Sequence, residues 1–239
     1  MDESSFDALR LVADRTKTFS FSKLSRPPTP PNQPATRELV NWGAHVYSFS
    51  WLLHLSALLN GLLTLEDAGN RPSAIIIARS VYELGAHAYY VKKHLKQHID
   101  VQNYDAAWNF LLPVTTGSRY MTEQFPTTAE MFPTAAHISK MIKTFGEVMP
   151  GEAVEDYSYL SEFSHPNSFA FGLHHDWLTP YEVSFVSRKV SGTFGATTAA
   201  TINGVMAIQQ LLVSTAEIPT AEALHKLLTD LIEQGKKEE

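Results

Sequence analysis

Apolar residues recur at helical spacing along most of the chain, broken by proline and glycine. Phe6, Leu9, Val12 and Ala13 stand three and four apart and predict a short amphipathic helix over Ser5 to Lys17. Five prolines in residues 27–34 rule out helix and central strand there, so that stretch reads as an extended linker. Thr36 is placed to cap a long helix reaching Leu65, and Asp67-Ala-Gly-Asn-Arg-Pro72 supplies turn chemistry after it. Pro72 suits the first turn of a further helix that runs to about His98. Two long helices joined by so short a loop are antiparallel neighbours.

The second half follows the same logic. Tyr104 to Gln124 reads as a helix kinked or interrupted at Pro113, Pro133 to Val148 as one opened by Pro133, and Glu152 to Ser164 as one ended by His165-Pro166-Asn167. Residues 168–189 lose the helical period and read as a loop or a small hairpin. Helix returns over Ser191 to Thr215, and Thr220 is expected to cap a last amphipathic helix carrying Leu224, Leu227, Leu228 and Leu231. Gly192, Gly195, Ala196, Ala199, Ala200, Gly204 and Ala207 make the penultimate helix rich in small residues, a pattern for close helix packing more than for a ligand cleft. The expectation is an all-α fold, a bundle of about six to eight helices, with room for one short hairpin or irregular segment near 168–189. It divides into a helical arm (1–26), the proline-rich linker (27–34) and a single bundle domain (35–239).

Composition narrows what such a bundle does. The chain has 239 residues, 44% of them hydrophobic and only 18% charged, with a net charge of −6. So few charges imply extensive burial or a covered face such as a homo-oligomer interface. The acidic balance, with a pI near 5.9, does not favour nucleic acid as a partner, since broad phosphate binding needs a basic surface. There is no cysteine, which removes disulfides, thiolate metal sites and a cysteine nucleophile. The acidic start, MDESSFDALR, has no signal-peptide pattern, so a cytoplasmic location is expected. Leu39–Leu65 and Val190–Ala216 carry no Asp, Glu, Lys or Arg, but both are studded with His, Asn, Gln, Ser or Thr. Those groups are costly in hydrocarbon and useful in a core, so no membrane span is expected.

Three clusters hold the candidate chemistry. Arg79, Glu83 and His87 are spaced i, i+4, i+8 and span about 80° of a helical wheel. Lys92, Lys93 and Lys96 point well away from them, so the stripe turns inward or into a groove. An inward Arg needs a carboxylate, and Glu83 lies one turn on. This pattern suits a structural ion pair or a polar interhelical pocket. The second cluster is Tyr157 to Asn167, where Tyr159, Glu162 and Asn167 are candidate ligand contacts beside Glu83 and His87. Glu162 and His165 form a Glu-x-x-His pair of the kind that carboxylate-bridged metal bundles use in duplicate. One such pair implies no metal; if there is one, Glu83, His87, Glu162 and His165 are its ligands. The third, His174-His175-Asp176, reads as a polar turn. His45 and His54, on a long apolar helix, read as satisfied core histidines. No P-loop, dinucleotide fingerprint, nucleophile elbow or His-Glu-x-x-His zinc motif occurs, and no cofactor is implied.

The runs Leu58-Leu-Asn-Gly-Leu-Leu, Ala74-Ile-Ile-Ile-Ala-Arg79-Ser-Val-Tyr-Glu83 and Leu160-Ser-Glu-Phe-Ser-His165-Pro resemble a family of uncharacterised bacterial all-helical proteins. Its marks are an Arg-Ser-x-x-Glu helix and a later Ser-x-x-x-His-Pro helix end, and the likeness covers roughly residues 39–167. In outline the chain is also similar to HEPN helical domains of toxin and defence proteins, which cleave RNA without metal using an Arg and a His. That pair stands closer in sequence there than Arg79 and His87 do here, so the resemblance implies Arg79 with His165 as catalytic residues.

Three functions follow as expectations. The leading one is a regulatory or binding bundle with a polar interhelical pocket around Arg79, Glu83 and His165. The second is a HEPN-like metal-independent ribonuclease, with the Arg stabilising phosphorane charge and the His as general acid or base. The third is a metal-dependent helical-bundle enzyme.

Overall fold

One helix is surrounded by most of the others in the computed structural model, which describes residues 3–19, 23–28, 33–115, 137–149, 153–164, 175–179, 182–185 and 193–235. Eight helices and one hairpin are present among these residues. They are α1 (Glu3–Lys17), α2 (Arg37–Asp67), α3 (Arg71–Asp100), α4 (Tyr104–Thr115), α5 (Ile138–Phe145), α6 (Ala153–Ser164), α7 (Thr193–Ser214) and α8 (Ile218–Gly235). Strands β1 (His175–Thr179) and β2 (Glu182–Phe185) pair antiparallel, with an irregular register between Trp177 and Thr179. The fold is therefore an all-helical bundle with a short hairpin inside residues 168–189.

The central helix is α3, which packs against α2, α4, α5, α6 and α7. Its inward positions mix small residues (Ala74, Ala78, Gly85, Ala86, Ala88) with the aliphatic Ile75, Val81, Val91 and Leu95 and the aromatic Tyr82 and Tyr90. The small ones let neighbours approach closely. A Cβ on Gly85 would lie 2.3 Å from the Ala200 carbonyl oxygen, and one on Gly204 would lie 2.7 Å from the Trp51 ring. The small-residue stretch of α7 thus closes a tight crossing on α3, with Trp51 of α2 wedged beside it. Gly43 of α2 does the same for α4, lying under Trp108 and Leu111.

α1 belongs to this core. It packs on α2, α7 and α8 of its own chain, with Leu9, Val12 and Ala13 fully buried. Arg15 pairs with Asp230 at 3.0 Å, and Arg10 reaches Asp67. The residues flanking the linker are docked on both sides. Arg26 lies 5.7 Å from the ring centroids of both Trp42 and Trp108, and Ala35 N–H donates to Asp105 at 2.6 Å.

Helix ends follow local chemistry. Thr36 caps α2 by accepting from the Leu39 N–H at 3.3 Å. α2, α3 and α7 all finish on the same turn, with N–H groups of Asn70, Asn103 and Glu217 donating back five residues to Leu65, His98 and Leu212. That turn holds one residue at positive φ, which is Gly69 in the first case and Gln102 and Ala216 in the others. Across the first of these turns Arg71 pairs with Glu66 at 2.6 Å, both side chains largely buried.

Two helix starts differ from expectation. The helix expected from Pro133 begins at Ile138, where His137 accepts from the Ser139 N–H and acts as cap; residues 133–136 lie outside those described. The last helix begins at Ile218, so Thr220 sits in its first turn. There its hydroxyl bonds to Glu217 rather than capping from outside. The part of the fourth helix expected beyond residue 115, and the turn at 165–167, also lie outside the described residues. By length and composition α2 could cross a membrane, the one helix among the described residues to meet that test, and half of its most apolar stretch is buried in the bundle.

Candidate functional site

The Arg79 stripe divides between two neighbours of α3. Each step of four residues turns about 40° around a helix, so Arg79 and Glu83 face α6 whereas His87 has turned toward α2. Arg79 Nε donates to Glu83 Oε1 at 3.0 Å, Arg79 Nη2 donates to the Tyr157 hydroxyl at 2.8 Å, and that hydroxyl donates to Glu83 Oε1 at 2.9 Å. The three groups form a closed triangle, with the guanidinium 5.1 Å from the Tyr157 ring centroid. Burial works against the Arg79 charge, but Tyr157 and Glu83 outweigh it and raise its pKa. Nearby, the buried Tyr82 hydroxyl donates to the Ala153 carbonyl at 3.1 Å, fixing the start of α6 on α3.

The α6 residue that meets Arg79 and Glu83 is thus Tyr157. Tyr159 and Glu162 lie on exposed positions of that helix. His165 and Asn167 lie outside the described residues, so the expected meeting of Arg79, Glu83 and His165 is described only on its α3 side. Glu83 and His87 diverge, and among the described residues no group of three or more His, Asp or Glu side chains is placed to hold a metal ion. Of the third cluster, His175 and Asp176 fall on β1 and His174 is not described.

His87 enters a different site. A cleft of about 250 Å³ opens between α2, α3 and α4. Val46, Leu84 and Val114 give it apolar walls, and the Trp51 ring lines it from the core side. Its polar groups are Tyr47, Ser50, His54 and His87. Among the described residues that line it there is no Asp, Glu, Lys or Arg. The polar and aromatic α2 members, Tyr47, Ser50, Trp51 and His54, recur at i, i+3, i+4 and i+7, a single helical stripe.

Two hydrogen bonds fix this site. Trp51 Nε1–H donates to the Leu84 carbonyl at 2.9 Å, locking the indole across α2 and α3. The Tyr47 hydroxyl lies 2.8 Å from His87 Nδ1. Burial holds Tyr47 protonated by pushing its pKa well up, and burial lowers the His87 pKa to about 4. Both groups are therefore neutral near pH 7. The sequence reading did not pick out Tyr47 or Trp51, and it assigned His54 to the core, whereas His54 is exposed at the cleft. The stripe of polar and aromatic residues on an otherwise apolar, uncharged helix was the signal available. His45 does sit partly buried and satisfied, 3.1 Å from the Thr215 hydroxyl.

The cleft has the make-up of a small-molecule site: concave, mostly apolar, with a few convergent polar groups and a histidine of shifted pKa. The Arg79–Glu83–Tyr157 triangle has the make-up of a clasp, since Arg79 Nε and Nη2, Glu83 Oε1 and the Tyr157 hydroxyl are bonded to one another. Searches against protein-family models, curated proteins and solved structures find no match to this chain.

Proposed function

We propose that this protein is a ligand-binding helical bundle whose site is the cleft between α2, α3 and α4. The observation that carries the reading is the neutral Tyr47–His87 pair set beside the apolar Val46, Leu84 and Val114. A buried pair of this kind gives a pocket hydrogen-bonding direction. The Arg79–Glu83–Tyr157 clasp supports the site from behind by holding α3 in one rotational setting against α6. A ribonuclease built on Arg79 and His165 draws no support from the Arg79 side, where the guanidinium is committed to Glu83 and Tyr157.

Filling the cleft tests the reading. Ser50 lines it from an exposed position, so Ser50→Phe places a ring in the opening without entering the core. In a fragment titration followed by backbone amide and indole NMR, the native protein should bind single-ring compounds with shifts at Trp51 and His87. Ser50→Phe should lose those shifts while its melting temperature stays within about 2 °C of native, as surface substitutions do. Fragments that bind both proteins equally would place the ligand elsewhere.

A further inference from the structure

We infer that the cleft selects an uncharged single-ring compound bearing one hydrogen-bond acceptor, such as an aryl ketone, held by the Nε2–H of His87. This inference rests on the cleft being the ligand site and concerns what the site accepts.

Geometry assigns the proton first. Tyr47 is 5% exposed, and a buried hydroxyl hydrogen without an acceptor is costly. The partner within reach is His87 Nδ1 at 2.8 Å. If the hydroxyl donates there, Nδ1 is the acceptor nitrogen, and the single ring proton of a neutral imidazole sits on Nε2. The reverse arrangement, Nδ1–H donating to the Tyr47 oxygen, leaves the hydroxyl hydrogen to find another acceptor. Burial next to Trp51 and Tyr47 keeps the ring uncharged near neutrality, so His87 offers one donor and no positive charge.

The walls then set charge and size. Among the described lining residues, a carboxylate or phosphate entering the cleft finds no Lys or Arg to offset its desolvation, and an ammonium finds no Asp or Glu. An apolar cavity of about 150 Å³ is enough for benzene, so 250 Å³ accommodates one ring with a short substituent. The Trp51 ring borders the cleft with its own N–H already committed to the Leu84 carbonyl, and Ser50 and His54 sit at exposed positions, which leaves His87 as the half-buried directional donor.

Three probes of similar size separate these terms: acetophenone (ring and acceptor), ethylbenzene (ring alone) and benzoate (ring and charge). Each is titrated into the full-length ¹⁵N-labelled protein at pH 7, with the Trp51 indole signal and the His87 ring nitrogens as readouts. Acetophenone should bind about 3–10-fold more tightly than ethylbenzene, the contribution of one neutral hydrogen bond, and benzoate should bind most weakly. His87→Phe should erase the preference for acetophenone while ethylbenzene still binds. The native His87 signals test the proton assignment without any substitution: Nε2 should be the protonated nitrogen and should shift on adding acetophenone. Equal binding of acetophenone and ethylbenzene, tighter binding of benzoate, or a proton on Nδ1 would overturn the inference and leave the cleft as a ligand site. Failure of all three probes to move Trp51 would instead count against the cleft itself.

Discussion

His87 sits where a proton is hardest to place, and that has a consequence for stability. Its pKa falls from 6.5 to about 4 on folding because burial disfavours the imidazolium. Between those two values the unfolded chain binds a proton that the native chain does not. Stability is therefore full above pH 6.5, falls as the pH drops toward 4, and falls no further from this group below that. A shift of this size corresponds to roughly 3–4 kcal/mol. Urea midpoints measured from pH 7.5 to 4 should fall more steeply for the native protein than for His87→Gln, and parallel slopes would show that His87 is not buried neutral. A second residue-scale test concerns the clasp. Glu83 holds both Arg79 and Tyr157, with side chains only 25% and 30% exposed for the Arg79–Glu83 pair, whereas Lys96 and Asp100 are 59% and 55% exposed. Glu83→Ala should cost about 1–3 kcal/mol and Lys96→Ala under about 0.5 kcal/mol. Glu83→Ala and Tyr157→Phe should be non-additive, since they share one hydrogen bond. Equal urea midpoints for Glu83→Ala and Lys96→Ala would remove the clasp. The Arg79–Glu83 pair was legible from i, i+4 spacing. Its third member was not, because which α6 residue faces α3 depends on how the two helices cross.

At the scale of elements, periodicity and punctuation were sufficient for most helices. Thr36 as cap, the turn before Pro72 and the length of α3 all follow from local chemistry, and the structure agrees to within a few residues. The two misplaced starts have local causes: Ile138 is preceded by a histidine able to cap, and Pro219 sits comfortably in the first turn of α8, ahead of Thr220. Glu83 and His87 part company for a geometric reason. A stripe of i, i+4, i+8 drifts far enough around a helix buried on many sides for its two ends to meet different neighbours. The crossing of α3 and α7 gives a sharp prediction, because no flexible side chain can yield there. Gly85→Ala would push a methyl against the Ala200 carbonyl, and should destabilise by about 3 kcal/mol, read as a lower thermal midpoint. Gly195→Ala on α7, where a Cβ meets nothing within 4 Å, is the matched control and should be neutral or slightly stabilising. Ala216 offers the opposite case. It holds φ 64° at the end of α7, a left-handed conformation that an L side chain adopts at a cost. Ala216→Gly should stabilise by about 0.5–1 kcal/mol, the relief of strain exceeding the added freedom of the unfolded chain.

The whole molecule is a bundle organised around α3, with its first helix bound back onto it by a proline-rich strap. The linker composition announced the strap, but which surface α1 covers could not be read from it, since an arm of that kind packs equally well on its own chain or a neighbour. Leu9, Val12 and Ala13 are fully buried against α2, α7 and α8, so deleting residues 1–34 should uncover the matching apolar surface. A loss of about 3 kcal/mol or more is expected, given roughly 1.5–3 kcal/mol for each large buried aliphatic side chain less the entropy of ordering the arm. An unchanged thermal midpoint would mean that α1 does not dock in solution. The central claim is that the cleft between α2, α3 and α4 is a small-molecule site. The most direct measurement is a chemical-shift map of the full-length protein with acetophenone. Binding in the cleft predicts the largest shifts at Tyr47, Trp51, Leu84 and His87, with the α3–α6 face around Arg79 and Tyr157 unmoved. Shifts centred on Arg79, Glu83 and Tyr157, with Trp51 and His87 unchanged, would contradict it.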